Sequence, residues 1–332
     1  TPSTSGGIGA GAWVDRTDAT LRKEFNLFTG SIVNVLNFIP KQYHVAIKAR
    51  TSTVDVSSYI QEAIDYAQSF YPNISSVYVP AGKYIITAAT LDIYVPINFY
   101  GDGYLTQLEI VSSVPIPAMY HGYKNNNGAF RNCYLGDFRI NSSGPAVCDG
   151  IYFRSGDTNS ANTQIDVNNI WITNIRDGIT LSGVTYMNKY HNIVITGVSR
   201  YGWVCRGNKE IVYNTFENLE VTNVADGAYA YLFGRSTDYT ASMAGSTFKN
   251  LTADGVSVIQ SYYGTIEGFF VEGIYASTPV SNKALSISGI TSLKNVGLIN
   301  IPDAKCDTGI YVGYCSIDIQ GVRIPSGTNA PS

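Results

Sequence analysis

The sequence predicts an all-β protein built as a parallel β-helix, and three observations support this prediction. Charged residues make up only 14% of the 332 residues, against about 25% in an ordinary globular domain. The chain contains 32 glycines and 25 tyrosines, and its interior is rich in Val, Ile, Thr and Tyr, which favour strands. A six-residue motif also recurs along most of the chain, as in proteins that stack one coil on the next.

Composition excludes several classes of function. The net charge is -3, from 22 basic and 25 acidic residues, which leaves no basic stripe for nucleic acid. The apolar residues never run unbroken for the ~20 positions of a membrane helix, so no membrane insertion is expected. The five cysteines form no CxxC pair and the three histidines show no ligand spacing, so we expect buried free thiols and neither metal nor cofactor.

The first elements are readable individually. Residues 1–50 are interpreted as a flexible leader and an entry segment, and residues 51–98 as a capping helix with the first strands. Ser58 and Gln61 fit a capping box, and the helix is expected to end before Pro72. Its apolar residues recur at helical spacing: Ile60, Ala63, Ile64 and Ala67.

The β-helix is predicted over residues 99–325, followed by a flexible tail at 326–332. Each repeat has an apolar residue, two turn-type residues and then an apolar-x-apolar triplet. The repeats are LGDFRI (135–140), VNNIWI (167–172), YHNIVI (190–195), FENLEV (216–221), FKNLTA (248–253), IEGFFV (266–271), LKNVGL (293–298) and a degenerate IQGVRI (319–324).

The third position of the repeat is expected to form a structural ladder of side chains at a corner of the coil. Asn tolerates a left-handed backbone and bonds to its own kind in the neighbouring coil. The residues are Asp137, Asn169, Asn192, Asn218, Asn250, Gly268 and Asn295. A second stack of turns is expected at Asp149-Gly150, Asp177-Gly178, Tyr201-Gly202, Asp226-Gly227 and Asp254-Gly255.

Three segments carry a resemblance to a known family: VNVLNFIP (33–40), HVAIKARTSTVDVSSYIQEAIDYA (44–67) and VYVPAGKYIIT (77–87), followed by FYGDGY (99–104). They resemble the entry to the right-handed parallel β-helix of phage tailspike proteins and of the pectate-lyase-like superfamily. The resemblance implies a homotrimeric spike on the virion tail, made in the host cytoplasm and acting outside the cell. It also implies binding and cleavage of a bacterial surface polysaccharide, without a cofactor.

Strand alternation identifies candidate site residues, because the residue between two inward apolar residues faces solvent. Glu220, Asp254 and Glu272 fall on one outward face and are the candidate catalytic carboxylates, with Glu220 and Glu272 as the working pair. Asp157 and Asp238, in long interruptions of the repeat, are further candidates. The candidate substrate-binding residues are Arg139, Trp171, Tyr201, Trp203, Tyr229, Tyr231, Tyr262 and Phe270.

Two alternatives stay open at this point. A polysaccharide lyase acting by β-elimination needs a base such as Tyr, His or Lys, and Lys189, Tyr190 and His191 lie together. A non-catalytic receptor-binding spike needs the aromatic residues but no carboxylate pair.

Overall fold

The computed structural model describes residues 32–87, 90–124, 128–143, 147–155, 160–206, 210–234, 242–271, 283–298, 308–313 and 318–321. Within these ranges the chain forms helices α1 (Lys41–Lys48) and α2 (Ser57–Ser69). The strands are β1 (Ile32–Asn34), β2 (Ser76–Val79), β3 (Gly82–Ile86), β4 (Leu91–Ile93), β5 (Asn98–Gly101), β6 (Thr106–Ile110), β7 (Pro117–His121), β8 (Gly128–Arg131), β9 (Tyr134–Ser142), β10 (Asp149–Arg154), β11 (Ser160–Thr163), β12 (Asp166–Ser182), β13 (Val184–Tyr186), β14 (Lys189–Arg206), β15 (Glu210–Val212), β16 (Thr215–Val224), β17 (Tyr229–Phe233), β18 (Ser242–Ala244), β19 (Thr247–Ala253), β20 (Ser257–Val271), β21 (Lys283–Leu298), β22 (Thr308–Gly313) and β23 (Asp318–Gln320).

The strands stack in parallel, which confirms the predicted parallel β-helix. The first ladder is formed by the N-terminal parts of β9, β12 and β14 with β16, β19, the C-terminal parts of β20 and β21, and β23. A second ladder joins β7, β10, the C-terminal parts of β12 and β14, β17, and the N-terminal part of β20. A third joins β8, β11, β13, β15 and β18.

The register of the first ladder confirms the eight predicted repeats. Their first residues stand opposite one another through the whole stack: Leu135, Val167, Tyr190, Phe216, Phe248, Ile266, Leu293 and Ile319. The described apolar residues at this position, from Leu135 to Leu293, are at most 1% exposed and belong to one continuous core. The six-residue pattern therefore marks the same point of successive coils.

The predicted corner ladder is confirmed. All seven residues have a positive φ between 52° and 77°, the left-handed region that Asn, Asp and Gly adopt most readily. The side-chain amides bond from coil to coil: Asn218 donates to Asn192 at 3.0 Å, and Asn250 donates to Asn218 at 3.1 Å. This corner, called the Asn corner below, separates two straight strand segments and fixes their register.

The predicted Asp-Gly stack is only partly correct. Gly150, Gly178 and Gly202 lie over one another, because an added Cβ on each of the first two would meet the carbonyl of the next at 2.3 and 2.5 Å. The following coil, however, places Tyr229 opposite Tyr201. Asp226 instead lies in an exposed turn before β17. The sequence pattern does not reveal this shift, because the turn before β17 is longer than the corresponding turns of the preceding coils.

The N-terminal helix forms where expected but is capped differently. Asp55, rather than Ser58, receives the first hydrogen bonds: its Oδ1 accepts from the Ser57 backbone N–H at 2.9 Å and from the Ser57 hydroxyl at 2.7 Å. The apolar face of α2 belongs to the core that the strands share, and β2 and β3 flank the predicted Pro-Ala-Gly turn. That α2 closes the end of the β-helix stays a prediction.

Three of the five cysteines, Cys133, Cys148 and Cys205, are buried free thiols as expected, whereas Cys306 and Cys315 lie outside the described residues. Neither described helix is long and apolar enough to span a membrane.

Candidate functional site

The predicted outward column exists as a row of side chains along the first ladder. Strand register places these residues opposite one another, one per coil: Arg139, Trp171, Val194, Glu220, Thr252, Phe270 and Gly297. Adjacent parallel strands lie about 4.8 Å apart, so the row from Arg139 to Phe270 is about 24 Å long. That length suits an extended chain ligand lying parallel to the helix axis.

A groove runs between this row and the Asn corner. Its first part, with a volume of about 420 Å³, is lined by Asn169, Trp171, Asn192, Val194, Asn218, Leu219, Glu220, Asn250 and Thr252. The second part, about 570 Å³, is lined by Glu217, Lys249, Asn250, Glu267, Gly268, Phe270, Asn295 and Gly321. Asn250 lines both parts, so the two parts adjoin at this residue. Trp171 and Glu220 line the first part and Phe270 the second, and strand register places all three in the same row.

An aromatic pair lies at the N-terminal end of the groove. Trp171 is 38% exposed and Tyr104 is 51% exposed, and their rings meet edge to face with centroids 5.2 Å apart. The guanidinium of Arg139 lies 4.2 Å from the centre of the Tyr104 ring. Aromatic faces of this kind pack against the apolar faces of sugar rings, and Arg139 could hold an acidic sugar. Sequence analysis missed Tyr104, although it closes the FYGDGY segment.

A hydrogen-bonded network fixes Arg139 in place. Arg139 donates to the side-chain oxygen of Gln107, and Gln107 donates to Glu109. Asn141 also donates to Glu109, at 2.8 Å, and itself accepts from the Thr173 hydroxyl. Gln107 and Glu109 are buried, so the partner that positions the Arg139 guanidinium belongs to the protein interior and not to the solvent. Sequence analysis did not single out Gln107 or Glu109, because β6 precedes the first of the recognised repeats.

Two of the three candidate carboxylates can be placed. Glu220 is exposed in the middle of the groove. Asp254 directly follows β19, and its backbone N–H donates to the Val221 carbonyl at 2.8 Å, so it stands one coil further and two residues along from Glu220. The corresponding Cα separation is about 8 Å, from the coil spacing and the rise per residue. Glu272, Asp157 and Asp238 lie outside the described residues.

The environment of Asp254 differs from that of Glu220. Asp254 is half-buried, and burial raises its pKa above the ordinary value, while a backbone hydrogen bond from Asn223 opposes the shift. Burial disfavours the charged carboxylate because it loses solvation. A proton is therefore held more readily on Asp254 than on a fully solvated Asp.

Two predicted aromatic contacts are wrong. The side chains of Trp203 and Tyr231 are fully buried in the core, where Trp203 packs against Tyr190 and Phe216, and the Tyr231 hydroxyl donates to the Thr252 carbonyl at 3.0 Å. Neither side chain has exposed surface with which to contact a saccharide. Strand alternation within their coil puts both residues inward, which the loose spacing of tyrosines in the sequence does not reveal.

Three other aromatic candidates lie away from the groove. Tyr201 and Tyr229 stack with ring centroids 6.0 Å apart, but on the second ladder. Tyr262 is exposed and pairs with Ala244 on the third ladder. Of the predicted substrate-binding residues, Trp171 and Phe270 line the groove, and Arg139 stands next to Trp171 at the end of the same row.

The residues considered for a lyase are held in other contacts. Tyr190 is fully buried, which raises its pKa, so it cannot reach a substrate as a base. The Lys189 ammonium lies 3.6 Å from Glu217, and His191 Nε2 lies 2.6 Å from the Asp166 carboxylate. These three side chains therefore do not converge on one reacting centre.

Fold and groove define a parallel β-helix protein with a long, solvent-open groove on the outer face of one sheet. No family model matches the sequence, and no curated protein matches it. Among solved structures, the chain is similar to the full-length tailspike protein 2 of an Escherichia coli O157:H7 bacteriophage, with a TM-score of 0.51 and 11% identity over 88% of this chain and 42% of that one. This chain thus shares its fold with a part of that tailspike.

Two further similar structures have lower TM-scores. The enzymatically active domain of the same tailspike gives 0.49, with 11% identity over 87% of this chain and 47% of that one. The ORF18 protein of Geobacillus virus E2 gives 0.45, with 12% identity over 94% of this chain and 63% of that one. The chain spans less than two thirds of the length of each of these three structures.

Proposed function

We propose that this chain is the β-helix of a tailspike-type depolymerase that binds a bacterial surface polysaccharide, such as capsule or O-antigen, and hydrolyses it with a pair of carboxylates. The observation that carries the proposal is the groove itself: the Trp171 platform and the exposed Glu220 lie two coils apart in one row, with Asp254 beyond. The fold shared with a tailspike supports the same function. That the chain is part of a homotrimeric spike on the virion tail belongs to the proposal.

The roles follow from the two environments. Asp254, whose pKa is raised by burial, is the general acid that protonates the glycosidic oxygen. Glu220, which is exposed, is the base that activates water on the opposite face of the sugar. The Cα atoms of the two residues are about 8 Å apart, and the inverting mechanism requires the carboxyl groups themselves to stand ~6.5–9.5 Å apart, with room for that water between them. Glu272 stays a predicted partner of Glu220, and its substitution belongs in the same experiment.

The test is digestion of a panel of purified capsular and O-antigen polysaccharides, with products measured as new reducing ends and by mass spectrometry. Glu220→Gln and Asp254→Asn are each expected to lower the rate about 10²–10⁴-fold, the usual contribution of a general acid or base. Glu210→Gln, at an exposed position of β15, is the matched control and should keep the wild-type rate.

Other outcomes would point elsewhere. Full activity in both groove variants would show that the carboxylate assignment is wrong. An unsaturated, ultraviolet-absorbing product would show elimination and thus a lyase. Retained binding with no product from any polysaccharide would show a receptor-binding spike.

A further inference from the structure

The corner that directly follows the strands of the third ladder carries large exposed side chains in a left-handed backbone conformation. Along this corner, called the third corner below, the residues with positive φ are Asn132, Gln164, Met187, Tyr213, Gly245, Tyr263 and Gly289, with φ between 55° and 73°. Backbone hydrogen bonds link the coils there: Tyr213 N–H donates to the Ala244 carbonyl at 2.9 Å, and Gly245 N–H donates to the Tyr262 carbonyl at 2.7 Å. The corner is therefore as regular as the Asn corner.

Several residues at the third corner are of types that disfavour its left-handed backbone conformation. The left-handed conformation is favourable for Gly and tolerated by Asn, but a bulky residue there is an outlier. The Asn corner uses only Asp, Asn and Gly in the same conformation. At the third corner, three of four successive positions are instead bulky: Met187, Tyr213 and, beyond Gly245, Tyr263. Such strain is typical of positions retained for function.

These side chains point to solvent. Met187 is 60% exposed, Tyr213 63% and Tyr263 79%, and the neighbouring Tyr262 is 48% exposed. They pack little and so gain little stability from their size. Tyr213 and Tyr263 are two coils apart, about 10 Å along the axis.

Gly245 holds the Tyr213 ring in place. A Cβ added at Gly245 would lie 2.5 Å from Cδ1 and Cε1 of Tyr213, so the ring occupies the space that a side chain would fill. The ring thus rests on the backbone of the next coil while most of its surface stays open. This is a preorganised aromatic platform.

We propose that Met187, Tyr213, Tyr262 and Tyr263 form a second polysaccharide-binding strip, separate from the groove, for an uncharged stretch of glycan. Flat aromatic faces and phenol hydroxyls suit the apolar faces and hydroxyl rims of sugars. The strip carries no charge among these four residues and Gly245, unlike the groove with its Arg139. A row one side chain wide also falls well short of the ~800 Å² per partner that a stable protein interface buries. The identity of the partner as a polysaccharide rests on the proposed function.

The experiment measures binding of the protein to each immobilised polysaccharide of the panel by surface plasmon resonance, with cleavage of short oligosaccharides followed in parallel. The variants are Tyr213→Asn and Tyr263→Asn, since Asn fits the left-handed backbone, and Tyr311→Asn, an exposed tyrosine on β22, is the control. We expect each corner variant to bind the polymer roughly three- to tenfold more weakly, from the loss of one stacked ring. Cleavage of short oligosaccharides and thermal stability should not fall.

Unchanged polymer binding in both corner variants would overturn the strip, as would wild-type protein that binds no member of the panel. A change in oligomeric state in sedimentation, with polymer binding unaltered, would assign the strip to a second copy of the chain. Tyrosine-dependent binding without cleavage by wild-type protein would refute the hydrolase but support the strip, so the two proposals fail separately.

Discussion

Burial of His121 predicts that the protein loses stability in mild acid. The side chain is fully buried in β7, with its ring 4.7 Å from Phe130 and 5.2 Å from Phe153. Neither ring nitrogen has a hydrogen-bond partner within the described part of the chain. Burial, assisted by the positive charge of Arg154, lowers the pKa of His121 from 6.5 to about 3.

The sign follows from which state takes up the proton first. Between pH 6.5 and 3 the unfolded chain is protonated at this histidine and the folded protein is not, so acid favours unfolding. The contribution of the neutral His121 to the free energy of unfolding is fully present above pH 6.5. Below that pH it falls by about 1.4 kcal/mol per pH unit, so about 2 kcal/mol is lost at pH 5. This is a large part of the 5–15 kcal/mol that stabilises a typical domain.

The assay is urea unfolding at pH 8, 6, 5 and 4, followed by circular dichroism, for wild type, His121→Phe and His121→Gln. Because the substituted side chains do not titrate, both variants should gain about 2 kcal/mol relative to wild type between pH 8 and pH 5, whatever their stability at pH 8. His44→Gln is the control, since His44 lies on α1 with its Nε2 2.8 Å from the Ile39 carbonyl. Parallel pH profiles for wild type and both His121 variants would refute the reasoning.

Three further outcomes are expected. Asn218→Ala should destabilise by about 2–3 kcal/mol in urea unfolding, because two amide hydrogen bonds are lost and Ala disfavours φ 54°, whereas Asn218→Gly should cost less. Asp177→Asn should lower the free energy of unfolding by about 1–3 kcal/mol, because the buried carboxylate accepts hydrogen bonds from Arg200 and Arg206, which keep some contact with solvent. Glu210→Gln should change it by under about 0.5 kcal/mol. Trp171→Ala should weaken polysaccharide binding about tenfold in surface plasmon resonance without lowering the melting temperature.

Periodicity predicted the stacking of coils because strand register repeats one residue type at one point of each coil. Leu135, Val167 and Tyr190 stand opposite one another for this reason. The same pattern cannot tell how the coil turns between ladders. Trp203 and Tyr262 are close in sequence to the groove residues, yet the intervening corners send one into the core and the other to the third ladder.

The candidate site was predictable where one ladder contains it. Arg139, Trp171 and Glu220 follow from alternation within the repeat, and the register confirms their alignment. Tyr104 was not predictable, because it reaches Trp171 from a short 3-10 turn between β5 and β6 rather than from a repeat. A contact between an irregular turn and a regular strand has no period in the sequence.

The low charge of the chain is explained by how charges stack. At the position before the Asn corner, the residues that stand opposite one another in successive coils are His191, Glu217, Lys249, Glu267 and Lys294. Acid and base alternate along this column, because like charges placed directly opposite on neighbouring strands repel. Glu220 has uncharged neighbours instead, Val194 on one side and Thr252 on the other. Because no cation stands next to Glu220 in its column, its carboxylate is available to a ligand in the groove. Glu217, in contrast, stands opposite Lys249, and for this reason Glu220 is assigned as the base.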